Sequence, residues 1–109
     1  MSIAIPLFRN RVSPRCDFAE EVMIVTVEHG NVTDRKILSI GHLTLSQRLD
    51  QLKRYGVERI ICGGLDDFSL SLMRSRGFEV MNNVVGEAEG VLDSLMKGTL
   101  QPGLPTQKL

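Results

Sequence analysis

The sequence predicts an α/β fold: a five-stranded mixed sheet flanked by three helices. Three observations point to it. The first 40 residues are rich in β-branched and apolar runs broken by turn residues, which read as strands. After Ile40 the apolar spacing changes from a period of two to one of 3.6. From there, helix-like stretches alternate with short apolar runs, the pattern of strands joined by helical crossovers.

Each element has its own justification. Residues 3–8 (IAIPLF) form a short continuous apolar run, expected of a strand covered on both faces, with Pro6 suggesting a bulge or an irregular ladder near its end. Residues 9–17 lack a period and carry Asn10, Ser13 and Pro14, so they read as an ordered loop. The series Val22, Ile24, Val25, Thr26, Val27 marks a second strand over residues 18–28, and His29-Gly30-Asn31 makes a hairpin turn. The return strand, residues 32–40, is charged through Asp34, Arg35 and Lys36, as suits a sheet edge.

Thr44 and Gln47 fit a capping box, Leu45, Leu49 and Leu52 share a face, and Gly56 can end this first helix. Residues 57–64 form the fourth strand. Asp66 is the N-cap of a second helix with Leu65, Phe68, Leu72 and Met73 as its apolar set, closed by Gly77. Residues 78–85 form a fifth strand, and Ala88, Val91, Leu92, Leu95 and Met96 have amphipathic helical spacing up to Gly98. One domain over residues 1–100 is expected. The tail, residues 101–109, has two prolines and no period and reads as disordered.

If the fourth strand pairs beside the first, the sheet order is 3-2-1-4-5, with strand 2 antiparallel to its neighbours and strands 4 and 5 parallel. The carboxyl ends of strands 1 and 4 then flank a topological switch point, where open α/β sheets bind ligands. Two cysteines lie there, Cys16 after the first strand and Cys62 at the end of the fourth.

Composition narrows the function. Thirteen basic and thirteen acidic residues cancel, and aromatics make up 5%, which disfavours a nucleic-acid partner. The longest apolar run, residues 22–27, is far below the roughly 20 residues of a membrane span, so no membrane role is expected and a cytoplasmic location is the simplest. In that setting the two cysteines are expected as reduced thiols. No carboxylate lies on the first strand and no Ser-His-Asp set is credible with two turn-region histidines, so catalysis is not expected.

The chain resembles the dinitrogenase iron-molybdenum cofactor biosynthesis family of NifX, NafY and NifB C-terminal-like proteins. The opening IAIP with RVSPRCDFAE, the hairpin VMIVTVEHGNV, the unit LDQLKRYGVERIICGG and the ending VVGEAEGVLDSLMKGTL carry the resemblance, across residues 2–100. It implies a ribonuclease H-like fold and a non-catalytic role in binding or carrying an iron-sulfur or iron-molybdenum cluster, with donor or acceptor proteins as partners. Carriers of that family show His-Phe-Gly after the first loop. This sequence has Arg15-Cys16-Asp17 there, so Cys16 would have to replace the missing imidazole.

The residues themselves leave two readings open. Cys16 beside Arg15 and Arg11 has the cationic setting that favours a thiolate, a soft-metal ligand, or is a small side chain packed under the loop. Cys62 is a second metal ligand or a core residue. Two thiols fall short of the usual four ligands, which would call for a homodimer or a cofactor held partly by other groups. Arg9, Arg11 and Arg15 can present forked donors to an anion, Ser13 and Pro14 set the turn, and Gly63 and Gly64 permit close backbone approach. Phe8 and Phe18 are expected to anchor the loop. The alternative to a cluster carrier is therefore a small anion-binding or partner-binding module built on Arg11, Ser13, Arg15, Gly63 and Gly64.

Overall fold

The computed structural model describes residues 1–102 of the chain, so most of the expected disordered tail lies outside the described residues. Its elements are β1 (Ser2–Phe8), β2 (Arg11–Val12), β3 (Glu21–Glu28), β4 (Asn31–Ser39), α1 (Leu45–Arg54), β5 (Val57–Ile61), α2 (Asp67–Ser75), β6 (Glu79–Met81) and α3 (Ala88–Met96). The strand order is β4-β3-β1-β5-β6, antiparallel from β4 to β1 and parallel from β1 to β6, the order expected for the five long-range strands.

Among the described residues the sheet has six strands, not five. The extra one, β2, lies inside the segment expected to be loop, and pairs Leu7 with Val12 and Phe8 with Arg11. The physical reason is an open edge. Strand β5 pairs with β1 only over Ser2–Ala4, while β3 covers the other edge as far as Leu7, so the end of β1 has one free side for the returning chain. Arg9, at φ 58°, makes the two-residue turn.

Pro6 introduces no bulge with β3, where it pairs regularly with Val22. Its carbonyl accepts from Ser13 N at 2.9 Å, so its own missing donor points to the same edge, in the gap between the β5 and β2 pairings. No ladder bond is lost there. Strand β6 is also shorter than expected, because Asn83 turns at φ 60° and the chain leaves the ladder to bond Gly63 and Cys62.

Alternation along β1 divides the core into two layers. Ala4 faces a cluster with Leu49 and Leu52 of α1 and Met73 of α2, whereas Ile3, Ile5 and Leu7 face one with Ala88, Val91 and Leu92 of α3. Phe68 departs from the expected apolar stripe of α2 and is 73% exposed, in the first turn of its helix.

The capping box is formed as the sequence requires. Gln47 N donates to Thr44 Oγ1 at 3.2 Å and Thr44 N to Gln47 Oε1 at 2.9 Å. Thr44→Ala is expected to lower stability by about 1 kcal/mol, read as a lower urea midpoint with an unchanged slope.

Candidate functional site

After β2 the chain folds over the end of β5. Gly64 N donates to Pro14 O at 2.7 Å and Cys16 N to Gly64 O at 2.9 Å, a parallel bridge between Arg15 and Gly64. The close approach that Gly63 and Gly64 permit is made by the protein's own loop. A Cβ on Gly63 would collide with the Ser13 carbonyl oxygen, and one on Gly64 would lie 2.8 Å from Pro14 O. Ser13 is buried and its hydroxyl donates to Arg15 O at 2.8 Å, holding the turn.

This pinned loop has two sides, and it separates residues adjacent in sequence. Outward lies an open depression of about 710 Å³ whose lining includes Phe8, Arg9, Ser13, Pro14, Arg15 and Phe18 as well as Glu20 and Glu21. Phe8 and Phe18 do not anchor the loop from within; they are 53% and 69% exposed. Each is covered by an arginine, with Arg9 Cζ 5.3 Å from the Phe8 ring centre and Arg15 Cζ 4.5 Å from that of Phe18. Arg15 also pairs with Asp17 at 3.2 Å. Arg11 does not line this depression; it bridges through its backbone to Glu87 ahead of α3.

Inward, Cys16 opens a one-turn 3-10 helix (Cys16–Phe18) and is buried. It lines a different cavity, of about 170 Å³, walled mainly by apolar side chains of α1, α2 and the sheet. The cation beside it is Arg48 of α1, which the loop-centred reading of the sequence missed. Its Nε donates to Leu43 O at 3.2 Å and one terminal nitrogen reaches Cys16 O at 3.5 Å. The signal was an arginine set in the stripe Leu45, Leu49, Leu52, three residues after Leu45.

Cys62 is fully buried and packs in the same core cluster as Cys16 beneath the loop. The Cys62 thiol acts as donor to Cys16 sulfur, which with the nearby Arg48 charge holds the Cys16 thiol below its usual range against the opposing effect of burial. The same bond and its own burial push Cys62 up, so the pair ionises once, at Cys16. Cys62→Ala removes the donor and is expected to move the thiolate absorption of Cys16 to higher pH. An unmoved or lowered midpoint would contradict the pairing.

Among the described residues no group of three or more His, Cys, Asp or Glu side chains could hold a metal ion. The two thiols are the donor set of the switch point, and neither His29 nor His42 adds to it.

In sequence the chain matches no protein-family model and no curated protein. In structure it is similar to the protein PH0822, with a TM-score of 0.86 and 19% identity over 94% of each chain. It is also similar to a protein of Methanocaldococcus jannaschii provisionally described as a dinitrogenase, with a TM-score of 0.75 and 17% identity over 93% of this chain and 92% of that one. A Thermotoga protein provisionally described as NifB follows, with a TM-score of 0.71 and 23% identity over 99% of this chain and 96% of that one. At these identities the likeness is one of fold. No helix among the described residues is long and apolar enough to cross a membrane.

Proposed function

We propose that the protein is a non-catalytic accessory protein that receives and hands on a metallocluster, an iron-sulfur or iron-molybdenum species, as cargo at Cys16. The observation that carries this reading is the meeting of the only two thiols of the chain at the end of β5, beside the Arg48 cation. A thiolate kept available by a hydrogen bond and a cation is a ligand for soft metal. Both thiols are buried, but Cys16 lines the cavity beneath the loop and Cys62 does not, so Cys62 acts by tuning Cys16. One exchangeable thiolate falls short of a resident cluster site, and incomplete ligation suits a carrier, since the remaining ligands come with the cargo, from a second copy of the chain or from a donor or acceptor protein. The strand order and the descriptions of two structural neighbours support a nitrogen-fixation-type setting with a ribonuclease H-like sheet. With no carboxylate on β1, that sheet lacks the starting residue of a two-metal nuclease, and neither nucleic acid nor membrane is part of the reading.

Anaerobic reconstitution with iron and sulfide tests it. A sulfur-to-iron charge-transfer absorption is expected in the wild type and its loss in Cys16→Ala; an equal spectrum in that variant removes Cys16 from the site.

The second reading is an anion-binding or partner-binding module without a cluster, favoured by Arg9 and Arg15 over the exposed Phe8 and Phe18 in the outer depression. It expects no chromophore and a thermal shift with phosphate or a partner that is lost in Arg9→Gln with Arg15→Gln.

A further inference from the structure

The cavity beneath the loop, which Cys16 lines, has apolar walls that the cargo reading does not use. Its walls are Val22, Ile40, Leu49, Leu52, Ile60 and Met73, and its polar groups are Cys16, Asp17, Arg48 and Ser69. Three of these four are already engaged within the protein. Asp17 pairs with Arg15, Ser69 is bonded to the Asp66 carboxylate, and Cys16 sulfur accepts from Cys62. Arg48 is different. It is half-buried, its two hydrogen bonds go to backbone carbonyls, and none of the ion pairs among the described residues includes it. A guanidinium carries five N–H donors, so several remain for an acceptor in a chamber walled mainly by apolar side chains.

We infer that this cavity is a binding site for a small apolar monocarboxylate, its hydrocarbon body among Leu49, Ile60 and Met73 and its carboxylate on Arg48. The size fits. A chamber of about 170 Å³ is close to the roughly 150 Å³ apolar cavity that takes up benzene, so the body is about one six-carbon ring or a short branched chain. The charge fits as well, because a forked guanidinium matches a carboxylate with two parallel bonds, and the apolar surroundings strengthen that pair relative to water. A dicarboxylate or a sugar phosphate would place a second charged group among leucines and is excluded on the same ground. The chamber shares Cys16 and Arg48 with the cargo reading, but its ligand is tested in the metal-free protein, so the failure of one is distinguishable from the failure of the other.

Benzoate is the probe, with benzyl alcohol as its neutral counterpart, titrated into metal-free protein while side-chain methyl signals are followed by NMR. The expected result is saturable movement of the Leu49, Ile60 and Met73 methyls with a Kd of about 1 mM or tighter, and binding of benzyl alcohol weaker by about tenfold. Arg48→Gln keeps the fold and is expected to erase the difference between the two probes. Leu43→Phe, which places a ring in the chamber from a half-buried lining position, is expected to abolish both. The inference is overturned by non-saturable movement, by shifts confined to the outer depression around Arg9 and Arg15, or by an Arg48→Gln protein that still prefers benzoate.

Discussion

Gly63→Ala is expected to destabilise the protein by about 3 kcal/mol or more, a large effect for the addition of one methyl group. Gly63 is not among the glycines with positive φ, so the effect does not come from backbone conformation. It comes from the space the new Cβ would need, which the Ser13 carbonyl oxygen already fills, with the Pro14 carbonyl carbon and oxygen at 3.1 Å. These are backbone atoms and cannot turn aside as the end of a side chain does. The Ser13 backbone is tied by its N–H to Pro6 O, and the next bonds run Gly64 N to Pro14 O and Cys16 N to Gly64 O. Moving the loop outward therefore strains all three, and carries Cys16 away from Cys62.

The outcome is read in two ways. Urea unfolding should show the loss of stability, and any folded fraction should titrate its Cys16 thiol at higher pH, because the donor has been pulled away. Gly98→Ala is the matched control. Nothing lies within 4 Å of a Cβ at Gly98, and its φ of 73° predicts only the smaller cost, about 1 kcal/mol, of a left-handed alanine. If the two substitutions cost the same, the close packing at Gly63 is not what holds the loop.

Much of the fold was legible because its signals are local. The helix bearing Thr44 and Gln47 announces its start by the capping pair and its end by Gly56, which adopts φ 75°, and the charged return strand is indeed the sheet edge. The sixth strand was not legible. Two residues, Arg11 and Val12, have no period to read, and they pair only because β5 leaves an edge of β1 open, a property of distant chain. Site location and side-chain direction divide in the same way. That the ends of β1 and β5 meet follows from strand order. That Arg15 and Cys16 then face opposite sides of their loop follows from the Gly64 bridge, which sequence spacing does not display. Phe8 and Phe18 were misplaced for a related reason: with the loop anchored by glycine-to-backbone bonds, it needs no aromatic plug.

The two faces of the sheet should also respond differently to the same core deletion. Ile5 and Ile60 are 0% and 1% exposed, on neighbouring central strands, and simple burial would rank Ile5→Ala and Ile60→Ala as equals. Their surroundings differ. Ile5 packs in the layer under α3, among Val91 and Leu92, whereas Ile60 lines the existing cavity on the α1 and α2 side. Removing side-chain volume under α3 leaves a dry void, and retained void costs about 1 kcal/mol for roughly every 40 Å³ beyond the transfer free energy of the lost methyl groups. At Ile60 the deleted volume joins a chamber that already has Arg48 and Asp17 on its lining and can admit water, so less of that void penalty remains. Ile5→Ala is therefore expected to cost about 4 kcal/mol and Ile60→Ala about 1 kcal/mol less, both measured by urea unfolding. Benzoate should narrow the loss further in Ile60→Ala, because the enlarged chamber still has its cation, and should leave the loss in Ile5→Ala unchanged relative to wild type. Equal costs, together with equal responses to benzoate, would mean that the chamber is closed to water and ligand and that both faces of the sheet are packed alike.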